Sequence, residues 1–335
     1  MAWIERHWQS VTPVSALLYP VSLLYGAVAA SRRATAVPLQ RRVPVIVVGN
    51  VTVGGTGKTP LTLWLERTLR DRGFTPGIAC SGYGGTSRTA RPVSPGSDPA
   101  EFGDEAVLLA NRAGCEVWAG ANRVAAADGL LMRAECDVLL CDDGLQHHAL
   151  PRDIEICVVD GVRGIGNGWL LPAGPLREPV SRLASIDALV INGGGHHSLE
   201  HLPGNAARFS MTLEGREFRN LLNPDLVTGA ESFRGKRIHA LAGIGDPQRF
   251  FRHLQKMGLD FTAHAYPDHH PFTASDLDYP DAEAILMTEK DAVKCRRFAT
   301  ELHWELPVDA ALDPALGEFV LRKLDSLKAT TDEHR

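Results

Sequence analysis

The stretch Val45-Ile46-Val47-Val48-Gly49-Asn50-Val51-Thr52-Val53-Gly54-Gly55-Thr56-Gly57-Lys58-Thr59-Pro60 decides the fold. A β-branched apolar run stops at a Gly-rich turn, and Leu61, Trp64, Leu65, Thr68, Leu69 and Arg72 then recur at helical spacing. Strand, turn and helix in this order read as a P-loop, whose backbone N–H groups and helix N-terminus form a concave site for nucleotide phosphates. The segment Thr52, Val53, Gly54, Gly55, Thr56, Gly57, Lys58 and Thr59 is thus predicted to bind nucleotide. Lys58 reaches the β/γ-phosphates and the Thr59 hydroxyl holds Mg²⁺. Pro60 suits the first helical turn, where no backbone N–H is required. The strict pattern G-x-x-x-x-G-K-[ST] has a glycine where this chain has Thr52.

Outward from that stretch, apolar strands alternate with helical patterns. Pro76–Cys80, Glu116–Trp118, Asp137–Asp143, Ile154–Asp160 and Ala188–Asn192 read as buried strands, and Asn122–Arg133 as a helix. Residues 86–100 read as a loop. Phe209 to Asn223 suggests two short strands, a linker hairpin. A second α/β unit follows, with strands at Arg237–Gly245, Phe261–Tyr266 and Ala284–Thr288 and helices at Gln248–Met257, near Asp291 and at Leu316–Leu327. The fold class predicted is α/β: a P-loop NTPase-like, doubly wound, mostly parallel sheet with a second, smaller α/β domain and an N-terminal apolar helical segment. The expected division is 1–33 as the N-terminal segment, 34–205 as the P-loop domain, 206–225 as linker strands and 226–335 as the smaller C-terminal α/β domain.

A chain of 335 residues, 44% hydrophobic and 22% charged, can bury a full core and divide into two domains. A formal charge of −5 gives no electrostatic case for a nucleic-acid partner. The 6 cysteines show no C-x-x-C pair and read as buried thiols in a reducing compartment. His147/His148, His196/His197 and His264/His269/His270 lack zinc spacing.

Pro13 to Ala30 carries no charge; Glu5, Arg6 and His7 precede it, and Arg32, Arg33, Arg41 and Arg42 follow. A full span needs about 20 apolar residues, and Pro20 is expected to kink the segment. A signal peptide, a buried core helix and a membrane-associated helix or hairpin all answer to this pattern. The last is preferred, because secretion would part an NTP-binding domain from its nucleotide and the following arginines keep the body cytoplasmic.

Four further clusters carry chemistry. Asp142 and Asp143 end an apolar strand where a Walker-B carboxylate belongs and are predicted Mg²⁺ ligands, with Gln146 and His147 beside the phosphates. Asp104 and Glu105 sit at a helix start, where acids either serve the helix dipole or a reaction. Arg177 and Glu178 are bracketed by Pro175 and Pro179; an Arg that neutralises a transferring phosphate with a Glu near Mg²⁺ fits, as does a surface ion pair. His269 follows Asp268 and is either a tuned base partner or structural.

Taken together these motifs resemble tetraacyldisaccharide 4'-kinase, the lipid A 4'-kinase of Gram-negative bacteria. The likeness rests on Val48-Gly49-Asn50, Gly54-Gly55-Thr56-Gly57-Lys58-Thr59-Pro60, Gly82-Tyr83-Gly84-Gly85, Gly103-Asp104-Glu105, Asp142-Asp143-Gly144-Leu145-Gln146-His147, Gly166-Asn167-Gly168, Leu171 through Pro179, Leu241 through Gly245, Asp268-His269 and Met287 through Lys294. The resemblance implies ATP and Mg²⁺ as cofactors and an acylated glucosamine disaccharide 1-phosphate as substrate. It implies transfer of the γ-phosphate to the 4'-hydroxyl, giving lipid IVA, at the cytoplasmic face of the inner membrane, with the lipid surface as partner. In that family Thr at the position of Thr52 is usual. The resemblance also implies that Asp104 is the general base, assisted by His269, and that Arg123, Arg177, Glu178, Asp142, Asp143, Gln146 and His147 line the phosphate and Mg²⁺ site. The family usually reads Ser-Arg-Gly-Tyr-Gly-Gly where this chain has Cys80-Ser81-Gly82-Tyr83-Gly84-Gly85. The reading from a different class is a P-loop ATPase or GTPase switch without a lipid acceptor; Thr288-Glu289-Lys290-Asp291 lacks the N-K-x-D spacing of a guanine site.

Overall fold

The computed structural model describes residues 3–36, 43–194, 199 and 202–332; Arg41, Arg42, His196 and His197 lie outside the described residues. The strand Val45–Gly49 lies inside a nine-stranded sheet, between Val138–Asp142 and Ile154–Asp160, parallel to both. Every residue of these three strands is buried. The strand period of two explains why both faces are apolar. Ile46 and Val48 join one core with Leu61, Leu65 and Leu69, while Val45 and Val47 join a second with Ala126, Leu130 and Leu145.

From Val45–Gly49 the chain builds one side of the sheet through Pro76–Cys80, Val117–Ala119 and Val138–Asp142. It then crosses to the other side at Ile154–Asp160 and Ala188–Asn192. The order therefore reverses at the P-loop strand, and in open α/β sheets ligands bind at the carboxyl ends beside such a reversal. Asp142 and Asp160 close the two neighbouring strands.

A second sheet of six strands carries Glu217–Asn220, Val227–Gly229, Ile238–Ala242, Thr262–Ala265, Ala284–Thr288 and His303–Leu306. Three expectations are corrected by long-range pairing. Within residues 86–100, Arg91–Val93 is a strand antiparallel to Val117–Ala119. The expected linker hairpin is instead split: Ala207–Glu214 pairs with Ala188–Asn192, whereas Glu217–Asn220 belongs to the small sheet. Residues 309–332, expected in the smaller domain, return to the large one. Asp309–Leu312 pairs antiparallel with Ala207–Glu214, and Leu316, Val320 and Leu324 of the helix Ala315–Asp332 enter the core around Leu61 and Leu65.

The N-terminal helix Pro13–Thr35 runs unbroken through Pro20. Its start is fixed by Thr12, whose side chain accepts from the Ser15 backbone while Ser15 Oγ receives the Thr12 N–H, and by Pro13 in the first turn. Only Ser15 and Ser22 are buried along it, while Leu17 is 80% and Leu24 67% exposed. This is the reverse of a helix packed on a soluble core, which buries its apolar stripe. The buried-core alternative for this segment is thereby excluded. Ser22 instead keys the helix to the body, donating to Leu170 O at 2.8 Å and accepting from Ala173 N at 3.0 Å.

Candidate active site

The Gly-rich turn folds as its residues dictate. Gly57 caps the helix Lys58–Asp71 at φ 95°, a conformation that costs an L side chain dearly, and a Cβ there would meet Asn192 Nδ2 at 2.6 Å. Asn192 Nδ2 in turn donates to Thr56 O at 2.8 Å, so the end of the strand Ala188–Asn192 holds the loop from behind. Arg163 Nη2 supports it from the front, donating to Gly55 O at 2.6 Å.

The Pro172–Pro179 segment is not a free surface loop. Val53 N donates to Pro175 O at 2.9 Å, Arg177 N to Val51 O at 2.7 Å, and Thr52 bridges Leu176, which straps the segment along the P-loop. The strap sets Arg177 Nη1 at 3.2 Å from both Asp143 oxygens, while Lys58 Nζ approaches Asp143 Oδ1 at 3.5 Å. Burial alone would raise the Asp143 carboxyl. Lys58 and Arg177 outweigh it and bring it down to about 2. Asp143 adopts φ 52°, a region that Asp tolerates better than most side chains, and this turns its carboxylate toward the two cations.

Asp142 differs. Thr59 Oγ1 donates to its Oδ2 and Thr62 Oγ1 to its Oδ1, each at 3.0 Å, and no cation is in contact with it among the described residues. Burial, then the nearby Glu105 charge, lift its carboxyl to about 6 against the pull of Lys58. A buried carboxylate and a hydroxyl without a counter-charge are hard oxygen donors that fit a divalent cation of the Mg²⁺ kind. Such an ion takes one or two carboxylates and completes its shell with water and phosphate oxygens. No cluster of three or more His, Cys, Asp or Glu residues suited to a metal occurs among the described residues.

Glu178, expected at the metal, makes its contacts elsewhere. It accepts from Gln146 Nε2 at 2.8 Å and pairs with Arg182 Nε at 3.3 Å and His148 Nε2 at 3.8 Å. Gln146 thereby braces the strap, also donating to Asn50 O at 3.0 Å. Arg123 lines the cleft but is buried, and burial lowers its pKa; its Nε is buried without a hydrogen-bond partner. Burial and the Arg123 charge push His147 down to about 4, so the imidazole is neutral.

Across the cleft, Gly103 at φ 83° seats Asp104 at the first position of the helix Asp104–Arg112. A Cβ on Gly103 would strike Tyr83 O. His269, on the small domain, places Nδ1 at 3.1 and 3.0 Å from the two Asp104 oxygens. A carboxylate only accepts, so Nδ1 carries the proton. Burial would raise Asp104, but the His269 hydrogen bond with the Lys290, His269 and Lys294 charges holds it below its usual range. The same bond raises His269. His269 is the second non-glycine residue at positive φ, 58°.

One cleft of about 1960 Å³ joins these parts, lined by Thr52 through Thr59, Arg123, Asp143, His147, Arg177 and His269. A single small ligand fills about 300–1,000 Å³, so the cleft has room for a nucleotide and a second large substrate. Asp104, Asp142, Gln146 and Glu178 stand behind its wall. Thr62, Asn50, Asn192, Arg163, Arg182 and Lys290 were missed as site residues from the sequence, because each acts through a partner distant in the chain. Two had a local signal: Thr62, one helical turn after Thr59, and Arg182, four residues after Glu178.

The family Tetraacyldisaccharide-1-P 4'-kinase matches residues 14–325. The chain belongs to this family. It is 50% identical over 327 residues to Tetraacyldisaccharide 4'-kinase of Dechloromonas aromatica, covering 96% of this chain and 97% of that protein. It is likewise 50% identical over 323 residues to the enzyme of that name from Aromatoleum aromaticum, covering 95% and 96%. A crystal structure of LpxK from Aquifex aeolicus in complex with ATP superposes with a TM-score of 0.78 at 27% identity, over 93% of this chain and 99% of that one. As a tetraacyldisaccharide-1-P 4'-kinase family member the chain is a kinase, and the acceptor-free switch is not favoured.

Because Asp142 titrates near 6, divalent-cation uptake with nucleotide is expected to weaken as pH falls through 6, by up to about tenfold per unit as a proton competes for the carboxylate. Calorimetric titration of Mg²⁺ into the ATP-loaded protein between pH 5 and 7.5 measures this. Asp142→Asn is expected to abolish the pH dependence along with most of the affinity.

Proposed function

We propose that this chain transfers the γ-phosphate of ATP to the 4'-hydroxyl of an acylated glucosamine disaccharide 1-phosphate, forming lipid IVA in lipid A biosynthesis. The observation that supports this reading is the Asp104–His269 contact: His269 lines the same cleft as the P-loop, and the Asp104 carboxylate lies directly behind it, in hydrogen-bond contact with Nδ1. Phosphoryl transfer is mostly positioning and charge stabilisation, with one group needed to take the acceptor proton. Asp104 takes that proton from the sugar hydroxyl, and His269 orients the carboxylate through Nδ1–H. Lys58 and Arg177, now shared by Asp143, exchange part of that pairing for the triphosphate oxygens. The P-loop amides from Val53 to Thr59, with Arg123, grip the phosphates, and neutral His147 adds a ring that brings no extra charge. Thr59, Asp142 and Asp143 would hold Mg²⁺, which when bound neutralises charge on the β- and γ-oxygens. Glu178 acts through Gln146 and Arg182 to fix the strap.

Labelled ATP with the disaccharide acceptor tests the base. Asp104→Ala is expected to lose about 10²–10⁴-fold in turnover with ATP affinity retained. Label appearing at the wild-type rate in the organic-soluble product would remove Asp104 from the reaction.

The exposed apolar face of Pro13–Thr35 supports association with the cytoplasmic face of the inner membrane, where an acylated acceptor resides. The helix is about 34 Å long at 1.5 Å per residue, enough to span or to lie in the interface. Leu17→Glu with Leu24→Glu, at about 2.5–3.5 kcal/mol per charge at membrane depth, is expected to abolish vesicle binding. Activity on detergent-dispersed acceptor should persist; wild-type vesicle binding by this variant would refute the assignment.

A further inference from the structure

We propose that Lys290 is a positioning residue for phosphoryl transfer. Its ammonium fills the donor position at His269 Nε2, which keeps the imidazole neutral with its proton on Nδ1 and leaves the Asp104 carboxylate free to accept a proton. The inference rests on the reading of Asp104 as the base and adds to it the group that sets the state of its partner.

The geometry is specific. Lys290 Nζ stands 3.3 Å from His269 Nε2. An ammonium has three donors and no acceptor, so a hydrogen bond there requires a lone pair on Nε2. With Nδ1–H committed to Asp104, the ring is then the neutral Nδ1–H tautomer. The one acid near Nε2, Asp268, has Oδ2 at 3.7 Å, outside hydrogen-bond range. Lys290 is held in place by Glu105 Oε1 at 3.0 Å and Asp268 Oδ1 at 3.5 Å. These acids, with Asp104, raise its own pKa despite burial and keep it charged.

All the groups that face His269 act in this balance. From the helix Asp104–Arg112 come Asp104 and Glu105. From the turn after the strand Pro76–Cys80 comes Tyr83, whose ring meets the imidazole edge-on at 5.1 Å. Asp268 precedes His269 in the chain. Lys290 and Lys294 project from the helix Glu289–Cys295, the latter 3.7 Å from Asp104 Oδ2. The Asp104 hydrogen bond, with the Asp104 and Asp268 charges, draws His269 toward the imidazolium and raises it on balance, while burial and Lys290 oppose that shift. An imidazolium would bind Asp104 as an ion pair and reduce its affinity for the substrate proton. Lys290 therefore extends the pH range over which the pair can work downward, toward neutrality.

The test uses the full-length enzyme, with ring-¹⁵N histidine and Lys290→Met, Lys290→Arg and His269→Gln variants. In the wild type at neutral pH, His269 Nε2 should resonate as an unprotonated nitrogen. In Lys290→Met its titration, and the acid limb of kcat, should both move up by about half a unit or more. ATP KM should stay unchanged, which also reports that the variant is folded. Lys290→Arg should restore the limb, and Lys290→Met in a His269→Gln background should shift nothing further. A protonated Nε2 in the wild type at neutral pH, or an unmoved His269 titration in folded Lys290→Met, would overturn the proposal. Failure of Asp104 as the base reads out separately, as turnover retained by Asp104→Ala, while the histidine titration still decides the role of Lys290.

Discussion

The structure depends on a shared anion. Asp143 sits between Lys58 of the P-loop and Arg177 of the strap, and this contact ties together three segments far apart in the chain. Two cations converging on one point would repel each other. The Asp143 carboxylate offsets that, and its depressed pKa keeps it charged across the physiological range. Asp142 has no such compensation and is left high. Adjacent carboxylates thus shift in opposite directions, one paired with two cations and the other hydrogen-bonded only to hydroxyls.

The strap carries this arrangement outward. Trp8 Nε1 donates to Pro172 O at 3.0 Å, and Ser22 clasps Leu170 and Ala173. The helix that presents apolar side chains to the outside is therefore hydrogen-bonded to the same segment that aims Arg177. The small sheet supplies the other half of the site, bringing His269 to Asp104 from 165 positions away.

Strands buried on both faces were legible in the sequence. Pro76–Cys80, Ile154–Asp160, Ala188–Asn192 and Ala284–Thr288 have the bounds their apolar runs predict. What escaped was set by distant partners. Arg91–Val93 carries two exposed residues and is a strand only because Val117–Ala119 offers it an edge. Asp309–Leu312 is likewise an edge strand, and its return to the large sheet is recorded in no local pattern. At the site, the P-loop was readable because one contiguous segment makes it. The Asp104–His269 pair came from family likeness rather than spacing, and Lys290 was seen only as part of a motif. Glu178 was read as a metal neighbour although Arg182 stands four residues on; its hydrogen-bond donor Gln146 lies 32 positions away.

The most direct test is calorimetric binding of ATP and of adenosine to wild type and Lys58→Ala at pH 7.5. If the P-loop cation moves from Asp143 to the triphosphate, the variant should lose about tenfold or more in ATP affinity, at least about 1.4 kcal/mol, with adenosine binding unchanged. Equal ATP affinity in the two proteins would contradict the account.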